Sequence, residues 1–186
     1  MTFTEYRAKA RRTQNKELTV LKKQKHALHG MVGELGEVLV ALDFTLATND
    51  FVDEAGDLCW FLAEYADVSL LHPETIPVEN FTGYGGGSCT VDVHGNSKRV
   101  LLKTALAYYV AAIHSDYQKI YQGHSIDVSE HGAYVGKILG ILDKLYSLRE
   151  SGKGLDDILQ FNVDKLLKRY PYGFDADRSV NREQYQ

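Results

Sequence analysis

The sequence predicts an all-α fold: a helical bundle with a long Gly-rich loop inserted in its middle. Apolar residues recur at three- and four-residue intervals through several long stretches. Helix-breaking residues concentrate between those stretches, above all in His72–Asn96, which holds Pro73, Pro77 and the run Gly85-Gly86-Gly87. There is no internal repeat and no sustained heptad array, so the helices are expected to pack as one domain over residues 1–186.

A short basic helix is expected at Tyr6–Gln14 behind a Thr4 cap. Leu18 to Phe44 follows, with Leu28, Met31 or Val32, Leu35, Leu39 and Leu42 on its apolar face. In the helix Asp50–Leu70, Phe51, Leu58, Leu62, Tyr65 and Ser69 share one side, with Ala55 and Ala66 beside them. The stretch from 72 to 96 reads as a loop, with a small hairpin at Thr90–Val93. Helical spacing returns at Ser97–Tyr121 (Leu102, Leu106, Tyr109, Ile113, Tyr117, Ile120) and at Val128–Arg149 (Tyr134, Ile138, Ile141, Leu145, Leu148). A last helix runs from Leu155 to Tyr170 and stops before Pro171. The tail after Phe174 is polar.

Composition narrows the function classes. A hydrophobic share of 44% and a charged share of 25% are those of a globular chain with a real core. The net charge of -4 argues against a nucleic-acid polymer as partner, since such binding needs a basic surface. Cys59 in an apolar helical run and Cys89 in the Gly-rich stretch make neither a disulfide framework nor a zinc site. Met1–Lys16 has no apolar signal region and no run is long enough to span a membrane, so a cytoplasmic protein without membrane contact is expected.

Two short patterns carry the chemistry: Glu34-Leu35-Gly36-Glu37 and Glu54-Ala55-Gly56-Asp57. Each sets two carboxylates three residues apart, hence about 60° apart around a helix and one turn apart along it. Two such pairs on facing helices form an oxygen cluster suited to a hard cation. Around Glu34 the apolar Val38, Met31, Leu42 and Leu35 begin at about 40°, so the carboxylates sit at the edge of the core face. Their neighbours Ala27, Gly30 and Ala41 are small, and no Lys or Arg occurs between Gly30 and Leu70 to pair with them. Gly30, Gly33 and Gly36 inside one helix cost ~1 kcal/mol each against alanine, which points to close backbone approach or a nearby ligand. Acidic pairs of this spacing also occur on solvated faces, so spacing alone leaves both readings open.

The stretch His26-Ala-Leu-His29-Gly-Met-Val-Gly-Glu34-Leu-Gly-Glu37 resembles the first metal-binding helix of MazG-like nucleoside triphosphate pyrophosphohydrolases. Asp53-Glu54-Ala-Gly-Asp57-Leu-Cys-Trp60-Phe-Leu-Ala resembles the second. The segment Asn162-Val-Asp-Lys165-Leu-Leu-Lys-Arg169-Tyr170-Pro171, followed by Gly173-Phe174 and Asn181-Arg182, is similar to the C-terminal helix and tail of single-domain members. The middle of the chain, 72–149, matches only as helical filling.

The resemblance implies hydrolysis of nucleoside triphosphates, deoxynucleoside forms foremost, to monophosphate and pyrophosphate. It assigns Glu34, Glu37, Glu54 and Asp57 as catalytic metal ligands for Mg²⁺, or Mn²⁺ in its place, which activates the attacking water. Asn162, Lys165, Arg169 and Arg182 become candidates for the substrate phosphates, and Trp60 for stacking on the base. His26 and His29 are expected to be hydrogen-bonded rather than ligands. A homodimer or homotetramer is also implied. Two rivals stand beside this reading. A di-iron bundle would need Glu-x-x-His, and no histidine here has a glutamate three residues before it. A non-catalytic helical module for nucleotide binding or protein interaction would keep the carboxylates as surface charge.

Overall fold

In the computed structural model, residues 1–44, 48–73, 96–124 and 128–181 are described. Arg182, Cys89, the hairpin expected at Thr90–Val93 and nearly all of the Gly-rich loop lie outside them. Among the described residues there are seven α-helices and no strand: α1 (Phe3–Ala10), α2 (Val20–Phe44), α3 (Thr48–Val68), α4 (Asn96–Tyr121), α5 (Ser129–Arg149), α6 (Leu155–Arg169) and α7 (Ala176–Val180). The all-α bundle is therefore the observed architecture. The five long helices begin and end within two residues of the bounds set by periodicity.

One local reading needs correction. The first helix starts at Phe3, because Thr2 and not Thr4 caps it. Thr2 Oγ1 accepts from the Glu5 amide at 3.2 Å while the Glu5 carboxylate accepts from the Thr2 amide at 2.7 Å, so two end groups are satisfied reciprocally. The polar tail carries a further short helix: Asp175 accepts from the Arg178 amide and starts α7.

Helices α2 and α3 form the principal antiparallel pair, seen in Gly30 packing on Phe61 near one end and Glu37 meeting Glu54 further along. Helices α4 and α5 form a second pair, and α6 lies on α3 and α5. The shared core takes Leu28, Met31 and Val38 from α2, Phe51, Leu58 and Leu62 from α3, and Leu106 and Ile113 from α4. From α5 and α6 it takes Ile138, Leu139, Ile141, Leu142, Ile158 and Leu159. Met31 is the core residue and Val32 is exposed, which resolves the alternative left by the periodicity. Leu148 is exposed as well. Cys59 is fully buried, and that burial pushes its thiol up.

Polar ties fix the packing. Arg7 and Arg11 both reach Asp67, at 2.7 and 2.6 Å, joining α1 to α3. Burial alone would push the Asp67 carboxyl up, but these guanidinium bonds hold it below the usual carboxylate range. The buried His131 of α5 meets the Tyr65 hydroxyl at 2.7 Å and Asp116 of α4 at 3.3 Å. No helix among the described residues is long and apolar enough to cross a membrane.

Candidate functional site

Antiparallel pairing of α2 and α3 brings the two acidic motifs together. One oxygen each from Glu34, Glu54 and Asp57 lies within 4.8 Å of the others, and all three residues are half-buried. Glu37, more exposed, shares a hydrogen bond with Glu54. All four sequence candidates therefore belong to one cluster. Burial, then the charges of Asp57, Glu37 and Glu54, push Glu34 up to about 8. Burial first, then the hydrogen bond and charge of Glu37, push Glu54 up to about 7. Glu34 Oε2 is buried without a hydrogen-bond partner among the described residues.

Lys165 of α6 supplies the positive charge that is missing between Gly30 and Leu70. Its Nζ contacts Asp53 Oδ1 and lies 2.6 Å from Asp57 Oδ1. The sequence offered Lys165 for phosphates, and here it bonds to the carboxylates. Asn162, also offered for phosphates, is fully buried and plays a different part. Its Nδ2 donates to Asp57 Oδ1 at 2.8 Å, and its Oδ1 accepts from the Tyr6 hydroxyl at 2.7 Å. Burial raises the Tyr6 hydroxyl well above its usual range, so it remains a donor. Tyr6–Asn162–Asp57 is thus a buried relay that orients a cluster carboxylate. Tyr6 escapes a sequence reading because α1 shows only a weak apolar pattern and the partners lie 50 to 156 residues away. We expect Asn162→Leu to cost about 1–3 kcal/mol in chemical denaturation, because it strips partners from two buried polar groups.

Two glycines allow this assembly. A Cβ on Gly56 would stand 2.8 Å from Asn162 Cβ, so only glycine lets α6 come this close. A Cβ on Gly30 would stand 2.2 Å from the Phe61 ring. Gly33 and Gly36 face open space within the chain, so close approach accounts for Gly30 alone on α2.

Beside the carboxylates lies a cavity of about 300 Å³. Glu34 and Asp57 line it together with His26, Trp60, Phe61 and Arg169. Arg169 is only 9% exposed and its Nε has no hydrogen-bond partner among the described residues. The Trp60 Nε1–H donates to Thr13 Oγ1 at 2.8 Å, so the indole is a fixed wall. Tyr170 and Phe174 stack on each other and complete the rim. The chain turns between them at Gly173, whose φ of 103° suits glycine. Arg12 anchors this turn through the Tyr170 carbonyl at 3.0 Å. His26 is hydrogen-bonded, as expected; His29 lies on another face of α2, beside His114.

The raised carboxyls have a measurable consequence. Both sit above their ordinary 4.5 in the fold, so between pH 4.5 and about 8 the folded chain holds more protons than the unfolded one. Metal-free stability therefore falls as pH rises through that window. A cation on these oxygens competes with the protons, so Mg²⁺ should raise the melting temperature more at pH 8 than at pH 5.5. Thermal melts with EDTA or Mg²⁺ at both pH values check this; an increment that shrinks at pH 8 would count against the cluster as a cation site. Compared with family models, curated proteins and solved structures, the chain matches none.

Proposed function

We propose that the protein is a Mg²⁺-dependent nucleoside triphosphate pyrophosphohydrolase of the MazG-like kind, releasing monophosphate and pyrophosphate. The observation that carries this reading is the convergence of Glu34, Glu54 and Asp57 at the edge of a cavity that is also lined by the buried Arg169, whose Nε has no hydrogen-bond partner among the described residues. The donor set fits the metal: it is anionic and all oxygen, and Glu34 Oε2 is a buried acceptor without a partner. Glu34, Glu37, Glu54 and Asp57 would hold Mg²⁺, or Mn²⁺ in its place. When bound, the metal neutralises phosphate oxygens and makes water a better nucleophile.

The chain's own groups do the rest. A carboxylate of the cluster accepts the proton that the attacking water loses. Arg169 faces the cavity as a cation for the phosphates, and its burial strengthens that attraction. Lys165 stabilises the carboxylates before substrate arrives, through its ion pair with Asp57. Asn162 keeps Asp57 in place, and Trp60 offers a rigid face for a base.

One observation favours a second reading. The ion pairs of Lys165 with Asp53 and Asp57 partly neutralise the cluster, as a structural tie in a non-catalytic helical module would. Incubation with Mg²⁺ and a panel of ribo- and deoxynucleoside triphosphates separates the two. The enzyme reading requires pyrophosphate from at least one nucleotide. None from any, at high protein concentration, favours the module.

A further inference from the structure

We propose that Glu64 is a positioning residue, holding His26 by its Nδ1 so that His26 Nε2 reads an N–H donor on a nucleobase seated against Trp60. The proposal rests on the nucleotide reading above and concerns the same cavity. Glu64 lies on α3 with its side chain 0% exposed, flanked by the buried Ala63, Tyr65 and Ala66. A carboxylate there costs several kcal/mol of desolvation unless it is well paired. Its one hydrogen-bond partner among the described residues is His26 Nδ1, at 2.6 Å, and its Oε1 has none. The core does not require this group, since leucine or glutamine would fill the same space.

Its partner faces the other way. The His26 side chain is 48% exposed and lines the cavity that Glu34 and Asp57 also line. The ring is caged edge-on, with centroids 5.9 Å from Trp60 and 5.2 Å from Phe61. Trp60 and Phe61 are themselves perpendicular at 5.0 Å, so the three rings brace one another. With Nδ1 committed to the carboxylate, Nε2 is the ring nitrogen left to the cavity. In the tautomer whose Nδ1–H donates to the carboxylate, Nε2 is the acceptor. The complementary chemistry is an exocyclic amino or ring imide N–H of a base. A cavity of about 300 Å³ is at the lower end of the sizes that enclose small ligands.

Trp60 is the only tryptophan, so its emission reports on this cavity directly. The test uses the full chain with Mg²⁺, titrated with dAMP, dCMP, dGMP and dUMP and, separately, with inorganic pyrophosphate. Glu64→Leu and His26→Ala should each weaken the best nucleoside monophosphate about tenfold, the size of one well-made hydrogen bond. Both should leave pyrophosphate affinity unchanged. Glu64→Gln still accepts the Nδ1 proton and should restore binding to within about threefold. His26 is half-exposed, so its variant guards against misfolding at the buried position. Equal monophosphate affinity in wild type and both variants overturns the proposal. So does equal weakening of pyrophosphate, or a wild type that binds no monophosphate. Base binding that depends on Glu64, in a protein that releases no pyrophosphate, would instead sink the hydrolase reading and leave this one standing.

Discussion

Glu34→Gln is expected to stabilise the metal-free protein above pH 8 and to lower pyrophosphate release by ~100-fold or more, the loss expected when a metal ligand and its charge are removed. The two effects have one cause. Glu34 is held up to about 8 by burial and by Asp57, Glu37 and Glu54, so ionising it works against the fold. Glutamine keeps the shape and removes the charge. Because Glu34 Oε2 has no hydrogen-bond partner, no bond at that atom is lost in exchange. A residue kept only for stability would not show this opposition. Glu37→Gln should also lose turnover with the fold intact. Asp57→Asn should lose turnover and some stability, because Asp57 Oδ1 accepts from both Asn162 and Lys165. Melting curves in EDTA beside pyrophosphate release in Mg²⁺ check all three. Full activity in Glu34→Gln would remove it from the metal site.

Gly56→Ala carries the second large effect. Alanine is the better helix former by about 1 kcal/mol, so propensity alone predicts stabilisation. Packing reverses the sign. The new Cβ would meet Asn162 at its own Cβ, 2.8 Å away, and at Nδ2, 3.0 Å away. The Asn162 Cβ is fixed to the backbone, so α6 itself has to move. Overpacking of this kind costs about 1–3 kcal/mol, and the displacement carries Asn162, Lys165 and Arg169 away from Asp57 and the cavity. Lower stability and lower turnover should therefore appear together. Gly33→Ala and Gly36→Ala are the controls: beyond the adjoining helix backbone, nothing among the described residues lies within 4 Å of either added Cβ. Each should gain up to ~1 kcal/mol from propensity. Denaturation midpoints of the three variants should separate accordingly.

The helices were legible because their burial follows one period. Leu28, Met31 and Leu42 on α2, and Phe51, Leu58 and Leu62 on α3, are buried where the 3.6-residue repeat places them. The meeting of the acidic motifs was legible too, since each pair lies on the core edge of its own helix. The resemblance brought the third helix to the site, but not the roles its residues play. Lys165 and Asn162 read as one polar face of α6, and only packing on α3 reveals that they bond to Asp53 and Asp57. Tyr6 and Thr13 enter the site from the N-terminal segment through hydrogen bonds to Asn162 and Trp60. Such long-range pairings leave no periodic trace. Glu64 drew no notice in the sequence, because its burial and its partner His26, a helix away, appear only in the packing.

The proposed reaction, metal-dependent cleavage of a nucleoside triphosphate at this carboxylate cluster, can be read by phosphorus NMR of the wild-type protein with Mg²⁺ and its preferred nucleoside triphosphate. Nucleoside monophosphate and pyrophosphate should appear in equal amounts, with no reaction in EDTA. Nucleoside diphosphate with inorganic phosphate, or the same turnover in EDTA, would contradict it.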